Sequence, residues 1–309
     1  MAGKRLLMCG LLLALLLPTT GATCNPFRRG GDTLAPAAFV APPTLDDIIY
    51  ALNANTSRIQ SLQSDSVSLS AQGYPSLRAT IAMQAPRCFR LRANFLGPEL
   101  DVGSNNEDFW FWAKSNPEPV VYYARHDQLE DGSLRRLIPM EPSWLMEAFG
   151  LVYLEPGGQH QGPFPRSDGS VEVRTQMGPS GQTTRMLIID SKYGWVTQQQ
   201  MVDANGQVLA FAKASNHRQY QAAGVSLPHH IEITIPRAQL ALVLDVGQYT
   251  VNQLAGDPAQ LWALPQMDGY ELKNLAEMPL APGPARVPQP ESVSDLRAEA
   301  GYQPRYRGY

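Results

Sequence analysis

Apolar residues after Thr44 recur at near-helical spacing, at Ile48, Ile49, Leu52, Ile59 and Leu62. The Thr44 hydroxyl is placed to cap a first turn that holds Asp46 and Asp47, so the pattern predicts one amphipathic helix over Leu45 to Leu62, with Asn55 to Ser57 as its weak middle. From Ser64 the period becomes two. Val67, Leu69 and Ala71 alternate with serines, and Leu77, Ala79, Ile81 and Met83 alternate with Arg78, Thr80 and Ala82. Beyond Ala85-Pro86, Phe89, Leu91, Ala93 and Phe95 form an apolar set opposed by Arg90, Arg92 and Asn94, the mark of a sheet with one dry and one wet face. The same reading covers about 99–104, 108–114, 119–125, 171–177, 184–190, 193–202, 206–215, 228–236 and 239–252, which makes roughly eleven antiparallel strands with no parallel crossover.

The connections fit tight antiparallel pairing: Asn105-Asn106, Ser115 to Pro117, Asp131-Gly132, Ser180-Gly181 and Asn205-Gly206 are turn formers. Met140 to Gly150 interrupts the strands, and Pro142-Ser143 can start a short helix carrying Trp144, Leu145, Ala148 and Phe149. Glu155 to Gly169, crowded with Gly and Pro, reads as an exposed loop. The run Phe109-Trp110-Phe111-Trp112 sends two aromatics to each face, so one pair must lie on the outer side or beneath a loop, and Tyr122-Tyr123 repeats the situation. A long sheet with one apolar face and two or three short helices has more apolar surface than the helices cover.

The amino terminus changes the picture of where the chain works. Lys4 and Arg5 precede the apolar stretch Leu6 to Leu17, and Pro18 and small residues lead to Cys24, the layout of an export signal over residues 1–23. Without that segment the chain keeps 23 Lys and Arg against 28 Asp and Glu, a balance that argues against a general nucleic-acid binder. No later run approaches the roughly 20 apolar residues of a membrane span. Residues 24–43, rich in Gly, Pro and Ala, read as a flexible tether ahead of a domain over 44–278. Six of the 31 residues from Pro279 to Tyr309 are proline and apolar periodicity ends there, so 279–309 reads as a disordered tail.

Three cysteines do not make a disulfide framework; an acylated Cys24 leaves Cys88 alone, a free Cys24 could pair with it, and a lone buried thiol is the commoner case. His229 and His230 are strand neighbours pointing to opposite faces, so they cannot share a metal; no metal site and no cofactor are expected. Hydrolase, metalloprotease, phosphate-loop and dinucleotide motifs are absent from the sequence. The carboxylate pairs Asp46-Asp47 and Glu130-Asp131 have structural explanations at a helix start and beside a turn glycine. A non-enzymatic protein is expected.

The helix Leu45 to Leu62, the run Pro86-Arg87-Cys88-Phe89-Arg90-Leu91, Asn105 to Trp112 followed by Val121-Tyr122-Tyr123, then Gly194-Trp195-Val196-Thr197-Gln198 before a hairpin at Asp203 to Gly206, and Val225 to Ile231 with Leu227-Pro228 stand in a characteristic order. In that order and spacing, over about residues 44–253, the chain resembles the LolA/LolB-like lipoprotein-carrier superfamily. The resemblance implies a mainly β, α+β fold: an open antiparallel half-barrel with a helical lid, whose hollow accepts an acyl chain of a lipoprotein or another lipid. The position of Cys24 resembles the acylated cysteine of bacterial lipoproteins, which implies a lipid anchor on the periplasmic face of a membrane; Thr20-Gly21-Ala22 fits ordinary cleavage after Ala22 as well, which implies a soluble periplasmic protein.

The expected lining of the hollow is Leu91, Phe95, Trp110, Trp112, Trp144, Leu145, Phe149 and Ile233, in a protein acting as a monomer. The alternative is a structural or sensory envelope module of the same shape, its interior filled by its own side chains and its contacts made with other proteins.

Overall fold

A computed structural model describes residues 35–71, 73–130, 142–178 and 183–278. The export signal, Cys24, the turns at Asp131-Gly132 and Ser180-Gly181, and the proline-rich tail lie outside these residues. The helix α1 (Leu45–Ser57) is closed at its start by the expected device: the Asp47 amide donates to the Thr44 hydroxyl while the Asp47 carboxylate accepts from the Thr44 amide. It stops at Ser57 rather than Leu62. The polar stretch is an anchorage: Asn53 exchanges two hydrogen bonds with the backbone of Leu154, Asn55 does so with Ser226, and the Thr56 hydroxyl donates to the Val152 carbonyl. Ile59 and Leu62 are buried in a different cluster, Leu62 from the strand that follows.

That strand is β1 (Ser61–Ala71). From it β2 (Leu77–Gln84), β3 (Cys88–Asn94), β4 (Pro98–Ser104), β5 (Asp108–Ala113) and β6 (Val120–Arg125) step outward as an antiparallel meander. The chain then crosses to the opposite edge through the helices α2 (His126–Glu130) and α3 (Pro142–Ala148). From there β7 (His160–Pro165), β8 (Val171–Met177), β9 (Thr183–Ile189), β10 (Val196–Asp203), β11 (Val208–Ser215), β14 (His230–Ile235) and β15 (Leu240–Val246) step back inward until β15 pairs with β1. The short β12 (Arg218–Tyr220) and β13 (Val225–Leu227) form a separate two-stranded sheet, and β16 (Thr250–Val251) adds to β1.

A short helix α4 (Pro258–Leu261) leads to β17 (Glu271–Asn274), which pairs with β6 in parallel. The described residues therefore make one open sheet of fifteen strands, larger than the eleven expected and with one parallel pair. The strands that escape sequence reading are short or broken. The strand β7, inside the expected loop, carries Pro163, Pro165 and a register shift between Gln161 and Phe164 that hides any alternation. Proline on this edge and the four-residue length of β17 on the other blunt the two free edges.

The sheet is strongly curved. Phe149, next to the end of α3, has its ring 6.3 Å from that of Phe89 on β3, while the Trp144 carbonyl of the same helix accepts from Gln199 on β10. Six strand spacings separate β3 from β10, about 29 Å if the sheet were flat, whereas Trp144 and Phe149 lie within about 10 Å along a helix axis. Only a sheet folded around α3 brings both walls to it. The main apolar cluster, with Leu69, Ile81, Leu91, Phe149, Leu227, Ile231 and Leu244, fills this hollow, and a second cluster seats α1 on Val173, Leu187 and Ile189.

The face that carries Arg90 is not wet. Arg90, 6% exposed, makes a two-point ion pair with Asp101 at 2.7 and 3.1 Å, and its Nη1 donates to the carbonyls of Gln260, Leu261 and Ala263. The Trp110 indole N–H donates to the same Asp101 carboxylate, and Arg90 lies over the Trp110 ring. Trp110 fits because position 103 is glycine: a Cβ there would stand 2.1 Å from the indole. Residues 257–270 are thereby strapped across the outer face, with Leu264, Met267 and Tyr270 over Trp110 and Trp112. Removing one member of a buried pair leaves the other charge uncompensated. Asp101→Ala is therefore expected to cost about 3–5 kcal/mol in urea unfolding; a loss below about 1 kcal/mol would show that the strap does not depend on the pair.

Candidate functional site

The eight residues expected to line a hollow fall into three groups. Leu91, Trp144, Leu145, Phe149 and Ile233 meet on the inner face, where Leu145 packs partly buried against a cluster that buries the other four. Trp110 and Trp112 lie on the outer face instead, because the alternation of β5 puts them beside Arg90 and Asp101, under the strap. Phe95 is 59% exposed: β3 ends at Asn94, so the apolar alternation runs on into a turn that no longer follows the pleat. Tryptophan and tyrosine at the outer positions could not reveal a covering segment 150 residues further along the chain.

The helix α3 is held in the hollow by two unlike attachments. Toward β3 it is apolar, through Phe149 and Phe89. Toward β9 and β10 it is polar: Arg185 pairs with Glu147 and donates to the Tyr153 carbonyl, and Gln199 donates to the Trp144 carbonyl at 3.0 Å. Arg185 is 5% and Gln199 2% exposed, so neither residue faces bulk water. On this polar side Trp144 Nε1, Arg185 Nε and Gln199 Oε1 are buried without a hydrogen-bond partner among the described residues. A buried group without a partner costs about 1–3 kcal/mol.

A cavity of about 320 Å³ opens where α1 meets residues 193–196 and the small sheet. Its wall is a stack of rings in which Trp195 lies between Tyr193, 4.4 Å away, and His217, 4.7 Å away. Residues expected in the tether form another wall: the Ala38 and Phe39 amides donate to the Lys192 carbonyl, and Phe39 packs into the α1 cluster. The folded unit thus begins before Thr44. Gly150 and Pro228 form part of the floor, directly after Phe149 and Leu227 of the main cluster. Sequence reading missed this site. Tyr193 and Trp195 fall in the strand expected over 193–202, but Tyr193, Trp195 and His217 come from a turn, a strand start and a later loop, and no periodicity links the three.

One rim of the sheet carries an apolar tip. Arg78 at the start of β2 pairs with Asn94 at the end of β3, which puts the β1–β2 and β3–β4 connections side by side. Tyr74 in the first is 59% exposed, and in the second Leu96 stands 91% exposed beside Phe95. Cys88 is a free, buried thiol. His229 is buried against the Val246 carbonyl and the Tyr220 hydroxyl, whereas His230 faces Asp245 on the outer side. Among the described residues no group of three His, Cys, Asp or Glu is placed to hold a metal, and no helix is long and apolar enough to cross a membrane.

No protein-family model and no curated protein matches the chain. Solved structures do. An outer-membrane lipoprotein-sorting protein domain from Vibrio parahaemolyticus is similar at 10% identity and a TM-score of 0.45, covering 69% of this chain and 95% of its own. A LolA superfamily protein from Nitrosomonas europaea is similar at 12% identity and 0.45, covering 72% and 98%. A DUF1329 family protein from Desulfovibrio piger gives 12% and 0.45, covering 70% and 94%.

Burial holds the His217 imidazole down to about 4 from 6.5, with His229 adding to the effect and Asp190 opposing it. The unfolded chain takes up this proton near 6.5 and the folded one only near 4, so the contribution is complete above 6.5 and is lost as pH falls toward 4. An NMR titration should place the His217 midpoint near 4, and His217→Phe should flatten the fall of stability in that window. A midpoint at 6.5 would mean that the ring is not enclosed in the stack.

Proposed function

We propose that the protein is a non-enzymatic, monomeric component of the bacterial cell envelope that binds an acyl chain or other apolar ligand in the hollow of its sheet, with α3 as the element that yields. The observation that carries this reading is the polar side of α3. A seven-residue helix fills a hollow walled by apolar strands, and its attachment to β9 and β10 leaves buried polar atoms without partners. Withdrawal of α3 would lift Trp144, Leu145 and Phe149 away from Leu91 and Ile233 and free apolar surface worth about 25 cal/mol per Å² to a ligand. Lipoprotein cargo or a membrane lipid would supply such a chain, and the carrier-like superfamily resemblance favours that class.

A second reading has its own support. Leu91, Trp144, Phe149 and Ile233 are each no more than 5% exposed with nothing bound, which suits a filled module acting through protein contacts. Titration of the purified protein with a fluorescent fatty acid separates the two. Saturable uptake is expected, and Phe149→Ala, at a cost of about 3–5 kcal/mol in stability, should strengthen it by vacating space in the hollow. Well-folded protein that takes up no probe, and a Phe149→Ala variant that is merely less stable, would favour the module.

At the membrane, the exposed Tyr74, Phe95 and Leu96 would enter the interface, and an acylated Cys24 would tether the chain to it. The mass of the mature amino terminus decides between a diacylglyceryl group on Cys24 and plain cleavage after Ala22. With unacylated protein, Leu96→Asp should reduce co-sedimentation with lipid vesicles several-fold; unchanged sedimentation would remove the tip from the contact.

A further inference from the structure

Most polar groups that line the 320 Å³ cavity are already engaged. The Asp47 carboxylate accepts from the Thr44 amide and hydroxyl, Asn55 is locked to the Ser226 backbone, and Gln219 accepts from the Ser226 hydroxyl. His217 is a neutral ring within the stack, its charged form disfavoured by burial. Arg58 is different. It follows the last residue of α1, is exposed, and donates from Nη1 to the Gly224 carbonyl at 2.8 Å, its single side-chain contact among the described residues, which leaves the Nε and Nη2 hydrogens for another acceptor. Among the lining residues it is the one group that is always charged and has donors to spare.

The rest of the cavity suits an apolar body. The Tyr193–Trp195–His217 stack lines the cavity together with Ala51 and Ala54 of α1, and Gly150 and Pro228, which also line it, follow directly on Phe149 and Leu227 of the hollow. A Cβ at position 150 would stand 2.9 Å from the Pro228 ring, and φ there is +94°, so glycine keeps the floor thin at this point. Cavities of this size with apolar walls and one or two placed polar groups are the usual form of small-ligand sites.

We propose, resting on the acyl-chain reading above, that this cavity is the mouth of the lipid site and that its ligand is a single-chain anionic amphiphile, a fatty carboxylate. Arg58 pairs with the carboxylate at the mouth, the aromatic stack flanks the first methylenes, and the chain points past Gly150 and Pro228 toward the hollow. The free Nε–Nη2 edge of a planar guanidinium matches a carboxylate in a two-point bond, and loss of that bond removes the charge preference without touching the apolar part.

The test compares cis-parinaric acid with its methyl ester on the parent protein, Arg58→Gln and Trp195→Ala, followed by probe fluorescence. The parent should bind the acid about tenfold more tightly than the ester. Arg58→Gln, an exposed change that leaves the cores intact, should erase that difference while the ester affinity stays as it was. Trp195→Ala should weaken both probes alike, and circular dichroism shows whether it folds; if it does not, the Arg58→Gln comparison decides alone. Equal binding of acid and ester by the parent, or a preference that survives Arg58→Gln, overturns the anionic site and leaves the acyl-chain reading standing. If neither probe binds, both fall.

Discussion

An open sheet that is apolar on one face cannot leave that face to water, and here its own connectivity supplies the cover. The first meander runs from β1 outward to β6, and the second starts at the opposite edge with β7 and works back. The chain between them must traverse the sheet from edge to edge. It crosses the inner face, and so α3 is delivered into the hollow by topology before any side chain is considered. Phe149 then meets Phe89 on one wall while Gln199 and Arg185 hold the helix to the other. The curvature, the core and the candidate site all follow from that crossing.

The outer face solves a different problem with a different interaction. Beyond β3 the outer positions are Arg90, Asp101, Trp110 and Trp112, too polar for a dry core and too aromatic for a bare surface. The Arg90–Asp101 pair joins these chemistries by offering its remaining donors to three carbonyls at the end of α4, so that an otherwise irregular segment has its backbone groups satisfied. The strap then brings Leu264, Met267 and Tyr270 to cover the indoles. The result is an outer wall around β3 to β6 that is closed by residues far along the chain, while the inner side is closed by α3.

The sequence made the backbone of this architecture legible wherever burial was periodic. Strands β2, β3 and β5, the short helix at Pro142 and the Thr44 cap all announce themselves through alternation or capping chemistry. The signal failed where residues serve partners distant in the chain. Asn53, Asn55 and Thr56 look like a weak helix middle but are anchors to residues 152–154 and 226. Phe95 extends an apolar alternation by one residue into a turn, and only the end of pairing at Asn94 exposes the difference. Of the expected lining, the five residues on or facing α3 come together because their helix lies in the crossing segment. Trp110 and Trp112 do not, because strand alternation fixes that they differ in facing from Phe109 and Phe111 but not which pair faces inward.

For a filled hollow to serve a ligand, the exchange must come close to balance. A chain that replaces the α3 side chains buries apolar surface comparable to what it exposes, so the hydrophobic gain nearly cancels and the difference is set by the polar contacts. Withdrawal of α3 would break the Arg185–Glu147 pair and the Gln199 bond to the Trp144 carbonyl, both paid for in part by water that reaches these groups. It would also let water satisfy Trp144 Nε1, Arg185 Nε and Gln199 Oε1, each worth about 1–3 kcal/mol while buried. Where two such sides come close to balance, a modest differential affinity shifts the population from closed to open. On the proposed carrier reading, a core with all its polar groups paired would hold α3 in place against the same ligand, and the imperfect wall is the feature that would let it yield.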